Sequence, residues 1–357
     1  MVCPPLIFIE NKKLKIEMVI CACHQAPATM PQMYIMIGMQ GSGKSTKARE
    51  IAAIIPNSII HSRDERGGTL MDLLAPIEKD LQAGKTTIID NTHITKEIRK
   101  PFIDLGKKHG ADIHCIYMKS PMEDCQVRVL RRMYESCGEV YMTGKAHVKH
   151  PHVFPPSVLF SARKVQQPPT TDEGFTSITE IKQPSMKWNE VEFNCKALFL
   201  DIDGTVRATE HLPYKYPTNE TEVTLLYDAA KMRAVLEGYR SQGYKLIGIS
   251  NQSGIAKGTV TAAAAEKAMT RTRELLGYIE AEFPITHCPH QAAPVTCYCR
   301  KPQSGQGVQA IMKYKLNPTN CIMVGDQKTD ETFANRLGIP FIPATIFWNM
   351  PESLPGQ

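Results

Sequence analysis

The chain has 357 residues, 42 % of them apolar, and a formal net charge of +6. That length accommodates two domains with separate cores, and no apolar run is long enough to cross a membrane. Eleven cysteines in so long a chain do not read as a disulfide framework, so a reducing intracellular compartment, cytoplasmic or nuclear, is expected. Charge is uneven. Residues 1–184 hold 24 Lys+Arg against 19 Asp+Glu and the remainder holds 18 against 17, a mild excess that suits a nucleotide or nucleic acid and equally a solvated surface.

Residues 1–30 carry scattered charges and no sustained apolar segment, and are expected to be a poorly ordered leader rather than a secretory signal. Cys21, Cys23 and His24 have no second ligand pair nearby, so a metal site is not assigned to them. Residues 33–37 are a buried-strand pattern that runs straight into Gly38, Gly41, Ser42, Gly43, Lys44, Ser45 and Thr46. This is a complete G-x-x-x-x-G-K-S phosphate loop, with a helix expected over 46–55. Its glycines let backbone N–H groups wrap a polyphosphate, Lys44 neutralises the β/γ oxygens and Ser45 holds Mg²⁺, so ATP is the expected ligand.

Strands then alternate with helix-length segments: 58–60, 86–89 and 113–117, the last followed by a charged helix over 122–134. The alternation argues a doubly wound parallel sheet with ligands at the carboxyl ends of its strands. Asp64 and Asp90 both fall at such ends. Asp64 is the expected proton acceptor for a hydroxyl substrate. Asp90 orders Mg²⁺, binds the acceptor or caps the next helix. Arg128, Arg131 and Arg132 share the charged helix; Arg128 and Arg132, four apart, are expected to clamp the transferring phosphate from one face. His147, His150 and His152 read as loop residues.

The phosphate loop, Arg63-Asp64, residues 90–92 and the arginine helix together resemble the polynucleotide 5′-hydroxyl kinase family. Residues 154–159 and 168–178 are similar to that family as well. One departure is that bacteriophage members carry an Arg three positions after the base aspartate, where this chain has Gly67, with Arg66 one position early.

The second domain is expected to start at 185. An apolar run over 198–200 ends in Asp201, Asp203 and Gly204, two carboxylates that a strand-end turn can splay into separate roles. Residues 207–221 are polar, with Pro213 and Pro217, too short for more than a minimal cap. A helix is expected over 225–242, then a strand over 244–249 ending at Ser250. Cys288, His290, Cys297 and Cys299 supply three thiolates and an imidazole within twelve residues, a tetrahedral Zn²⁺ set that closes its own shell and is therefore structural. Lys301 follows at once. A last strand over 321–324 ends in Asp326, with Asp330 four residues on.

This second half resembles the haloacid dehalogenase (HAD) phosphatase family. The resemblance implies Asp201 as nucleophile and Asp203 as general acid/base. It implies Ser250 on the phosphate oxygens and Lys301 screening phosphate and nucleophile. Asp201, Asp203 and Asp326 would hold Mg²⁺ with Asp330 in support. The zinc loop with residues 250–258 is similar to the histidinol-phosphate and heptose-bisphosphate phosphatase branch.

The expected architecture is α/β: two doubly wound parallel-sheet domains, a P-loop kinase over 31–184 and a HAD-like phosphatase over 185–357. The two resemblances together imply an end-healing enzyme that phosphorylates 5′-hydroxyl ends and removes 3′-phosphates from DNA or RNA, with a ligase or other repair factors as partners and no membrane. The alternative is a small-molecule kinase fused to a sugar- or histidinol-phosphate phosphatase. An inert nucleotide-binding adaptor would carry damaged motifs, and these are intact.

Overall fold

The computed structural model describes residues 30–145, 150–184, 186 and 188–350. The leader with Cys21, Cys23 and His24, apart from Met30, lies outside the described residues, as does His147. Among the described residues ten strands form two five-stranded sheets. The first contains β1 Gln32–Ile37, β2 Ser58–Ser62, β3 Thr86–Asp90, β4 Asp112–Met118 and β5 Ser177–Ile181, in the order β2-β3-β1-β4-β5. The second contains β6 Lys196–Leu200, β7 Tyr244–Asn251, β8 Ile285–Cys288, β9 Ile322–Gly325 and β10 Phe341–Pro343, in the order β10-β9-β6-β7-β8. Every pairing is parallel.

The two sheets share a plan. In each, the strand that comes first in the chain lies centrally, with two strands on either side; in the first sheet the chain goes to the edge at β2 before β3 fills the gap, and in the second it builds outward in order. The point where winding reverses leaves a crevice at the carboxyl end of that central strand. β1 opens there into the phosphate loop and β6 into Asp201. Both strands are apolar because helices cover both faces of a parallel sheet: Ile35, Met36 and Ile37 in β1 and Ala197 to Leu200 in β6 have no exposed surface.

Three strands have no signal in the sequence reading. β5, β8 and β10 are edge strands of five, four and three residues, and they lack the continuous buried run that marks central strands such as β3 and β6. The helix expected over 225–242 is Ala229–Ser241. It starts later because the Asp228 side chain accepts from Lys231 N as an N-cap, while Leu226 N donates to Val206 O and binds the preceding residues to the strand-end turn. The charged helix runs longer than expected, Met122–Cys137, and stops at Gly138 in the left-handed conformation.

One apolar cluster spans both halves. Cys125, Leu130 and Met133 of the arginine helix pack with Phe193, Ile311 and Phe333 of the second half.

Candidate active sites

The first site is built on the turn after β1. Gly41 and Gly43 have φ of 78° and 95°, conformations that an L side chain resists. A Cβ on Gly41 would also sit 2.4 Å from Cys125 O, so the glycine is what lets the loop lie against the arginine helix. Gly41, Gly43, Lys44, Ser45 and Thr46 line a cavity of about 290 Å³ with Arg63, Asp64, Asp90 and Arg132. Gly38 and Ser42 lie beneath it: Gly38 N donates to Thr92 O and the Ser42 hydroxyl is buried. Lys44 is folded back, Nζ donating to Met39 O at 2.7 Å. Burial, only partly offset by Asp90, pushes its ammonium down to about 8, a charge waiting for an anion. The Asp64 carboxylate is exposed beside Arg63, 3.3 Å from its guanidinium. A P-loop, an open carboxylate and an arginine facing one cavity are the parts that phosphoryl transfer to a hydroxyl requires.

The expected arginine pair divides. Arg132 faces the cavity, but Arg128 donates to Gly41 O at 3.3 Å and to Pro184 O at 2.6 Å, so its guanidinium braces the loop from behind instead of clamping a phosphate. Arg131 turns away, bonded to Glu135 and stacked 5.2 Å from the Trp188 ring. Spacing could not separate these roles, because i,i+4 neighbours diverge once the loop and linker occupy one of them. His152 and Phe154 are cavity residues that a loop reading missed; the resemblance over 154–159 was the available signal for Phe154.

The second site gathers four strand ends. Asp201, 6 % exposed, follows β6 and its Oδ1 takes a 2.5 Å hydrogen bond from Lys301 Nζ. The same ammonium reaches Asp330 Oδ1 at 2.8 Å and Ile249 O at 2.7 Å. Burial opposes the charge on Lys301, but Asp201 and Asp330 outweigh it and hold the pKa above its ordinary value. Burial, reinforced by the Asp330 and Asp203 carboxylates against Lys301, pushes Asp201 up. Asp201, Asp326 and Asp330 present oxygens within 4.8 Å of one another, and Thr205 Oγ1 donates to both Asp201 and Asp326. An all-oxygen set of converging carboxylates suits a hard divalent cation.

Asp203 departs from the expected metal set. Its carboxylate accepts from Arg207 Nε at 2.8 Å, Ser250 Oγ at 3.1 Å and Gln252 Nε2 at 2.5 Å, and is not in the converging group. The turn after β6, closed by Gly204 N donating to Arg207 O, brings the buried Arg207 guanidinium back onto Asp203. Ser250 correspondingly donates to Asp203. The position of Lys301 depends on Asn251, which accepts from Lys301 N at 2.9 Å and donates to Lys301 O at 3.1 Å. Asn251, Arg207 and Gln252 carry no motif signal for these roles; the pairing of β7 with β6 and β8 brings in Asn251 and Gln252, and the turn after β6 returns Arg207 to Asp203 four residues back.

Beside this site, Cys288 Sγ lies 3.5 Å from His290 Nδ1 and 3.7 Å from Cys297 Sγ, and Cys299 Sγ lies 3.3 Å from His290 Nδ1. Bonds of about 2.3 Å to sulfur and about 2.0 Å to nitrogen give a tetrahedron with edges of about 3.8 Å and about 3.5 Å. The four side chains therefore already stand at the vertices of a metal shell, and 3.7 Å is far too long for a disulfide.

Fold and sites define the class: a P-loop nucleotide-binding domain joined to a HAD-like phosphohydrolase domain. Residues 33–150 match the AAA domain family and residues 298–343 the HAD-hydrolase-like family. A D-glycero-beta-D-manno-heptose-1,7-bisphosphate 7-phosphatase of Haemophilus influenzae is 34 % identical over 145 residues, 38 % of this chain and 73 % of that protein. The chain belongs, by its HAD-like half, to the family of these heptose-bisphosphate phosphatases. A bifunctional polynucleotide phosphatase/kinase of Schizosaccharomyces pombe is 26 % identical over 164 residues, 46 % of this chain and 36 % of that protein. The solved structure of a Pnkp1/Rnl/Hen1 complex aligns with 88 % of this chain and 96 % of that one, at 18 % identity and a TM-score of 0.28.

Proposed function

We propose that the protein heals nucleic-acid ends, phosphorylating 5′-hydroxyls from ATP and removing 3′-phosphates. The observation that carries this is the pairing, in one chain, of a cavity with Lys44, Asp64 and Arg132 and a site with Asp201, Asp203 and Lys301. A kinase for one hydroxyl and a phosphomonoesterase make sense together on a broken strand. The products, a 5′-phosphate and a 3′-hydroxyl, are what a ligase consumes, and a ligase is the partner this reading implies. The name of the Schizosaccharomyces pombe relative supports it for that protein.

In the first site Asp64 accepts the proton of the attacking hydroxyl, Lys44 and Arg132 neutralise the transferring phosphate, and Gly41 to Thr46 hold the donor. In the second, an Asp201 oxygen attacks phosphorus and the bond to the leaving oxygen breaks, giving an aspartyl-phosphate. Asp203 gives its proton to the leaving alkoxide and takes one back from the water that releases phosphate. Ser250 turns from Asp203 to the phosphate oxygens. Mg²⁺, held by Ser45 in the first site and by Asp201 and Asp326 with Asp330 in the second, would neutralise phosphate charge. Zn²⁺ is the ion that fits Cys288, His290, Cys297 and Cys299, with a structural role.

One assay decides it: Mg²⁺, ATP and two oligonucleotides of different mass, one with a free 5′-hydroxyl and blocked 3′ end, the other with both ends phosphorylated. The first should gain a phosphate and the second lose one. Lys44→Ala should abolish only the gain and Asp201→Asn only the loss. If only the first reacts, the phosphatase acts on another phosphomonoester, and the sugar-phosphate alternative, favoured by the metal loop and the heptose relatives, takes that half. If neither reacts while ATP binds, the polynucleotide reading is wrong.

A further inference from the structure

Pro151, His152 and Phe154 form one wall of the P-loop cavity, and this wall is fastened to the other half of the molecule. Tyr298 stands between Cys297 and Cys299 with no exposed surface. Its hydroxyl donates to Phe154 O at 3.0 Å and its backbone N–H to Met142 O at 2.6 Å. Met142 in turn packs on the metal-loop cysteines, and Val140 N donates to Gln309 Oε1 at 2.6 Å. Tyr298 is fixed from its own side too. Its carbonyl accepts from Gly305 N at 2.8 Å, and a Cβ on Gly305 would lie only 2.6 Å from that oxygen.

We infer that Tyr298 is a positioning residue for the kinase: the metal loop of the phosphatase half sets, through this side chain, where the Phe154 wall of the kinase cavity stands. The inference rests on the kinase reading above for its activity readout. Among the described residues the Phe154 carbonyl has one donor, supplied by a residue whose neighbours on both sides belong to the metal loop. Loss of metal in one half would therefore be felt by substrates of the other.

The test is Tyr298→Phe in the full chain, which keeps the ring and removes the hydroxyl. Without the hydroxyl the Phe154 wall is free to shift by a fraction of an ångström, and a misplacement of that size should lower kinase kcat/KM about fivefold, chiefly through KM. Zinc per chain, measured by elemental analysis, and turnover of a small aryl phosphate should stay within about twofold of the wild type. Unchanged kinase kcat/KM overturns the inference. So does a parallel fall of both activities that tracks a lower Tm, since that is general loosening. If the wild type phosphorylates no oligonucleotide, the function reading has failed rather than this one, and calorimetric titration with Mg-ATP becomes the readout. Weaker nucleotide binding by Tyr298→Phe would then support the positioning role, and equal binding would overturn it.

Discussion

Lys301 touches two carboxylates with one ammonium, and its backbone is clasped on both sides by the Asn251 amide. The lysine and the aspartates were legible because their spacing after strand-like runs is a pattern of residue types. Asn251 was not, since its partner lies 50 residues away and only sheet register joins them. Asn251→Ala should lower phosphatase kcat about tenfold, because the lysine loop loses both hydrogen bonds that place Lys301, and leave kinase turnover unchanged. Parallel steady-state assays of the two activities check it. Arg207 was missed for a different reason, since its partner Asp203 is only four residues away. Its guanidinium is buried and holds Asp203, and nothing in the sequence distinguishes it from a surface arginine.

At the scale of elements, the metal loop was legible whole, because four ligands of the right type within twelve residues need no tertiary information. Its removal is the direct test. A chelator strong enough to strip the thiolates should release one zinc per chain to a colorimetric indicator and lower Tm by several degrees, and Cys297→Ser should purify without zinc. The turn over 171–173 was marked by resemblance alone, with no role attached. Glu173 there makes a two-pronged ion pair with Arg99, at 2.7 Å on both arms, and Arg99 has no exposed surface. Burial alone would favour the neutral acid, but the Arg99 hydrogen bonds outweigh it and lower the Glu173 pKa below its ordinary 4.5. A depressed carboxyl contributes stability that is complete above that value and lost as pH falls through the folded one. Glu173→Gln should therefore destabilise by about 3 kcal/mol at neutral pH, because it leaves Arg99 buried without its counter-charge. It should also flatten the acid limb of the stability curve below about pH 4.5, as urea titrations across pH would show.

Over the whole molecule, the sequence reading divided the chain into two domains but said nothing of how they meet. That depends on side chains whose partners lie more than a hundred residues away. Gln126 of the arginine helix bonds to Gln303, two residues past Lys301, at 2.9 Å. Arg336 holds Pro302 O at 2.8 Å and lies 3.9 Å from Glu123. With a shared apolar cluster as well, the halves should not unfold independently. Scanning calorimetry should give one transition with calorimetric and van't Hoff enthalpies in agreement; two resolved transitions would show the interface to be weak.

The brace that Arg128 makes to Pro184 has a practical consequence for anyone dividing the chain. Gln183 packs beneath Gly43, Trp188 and Phe193 carry the Arg131 guanidinium, and Arg128 ties Gly41 to Pro184. The covalent junction between the sheets is thus also the underside of the phosphate loop. A cut at the end of β5, at Ile181, removes part of the nucleotide site's foundation. A kinase fragment has to carry its tail through Phe193, and a protease that nicks the junction would silence the half it seems to set free.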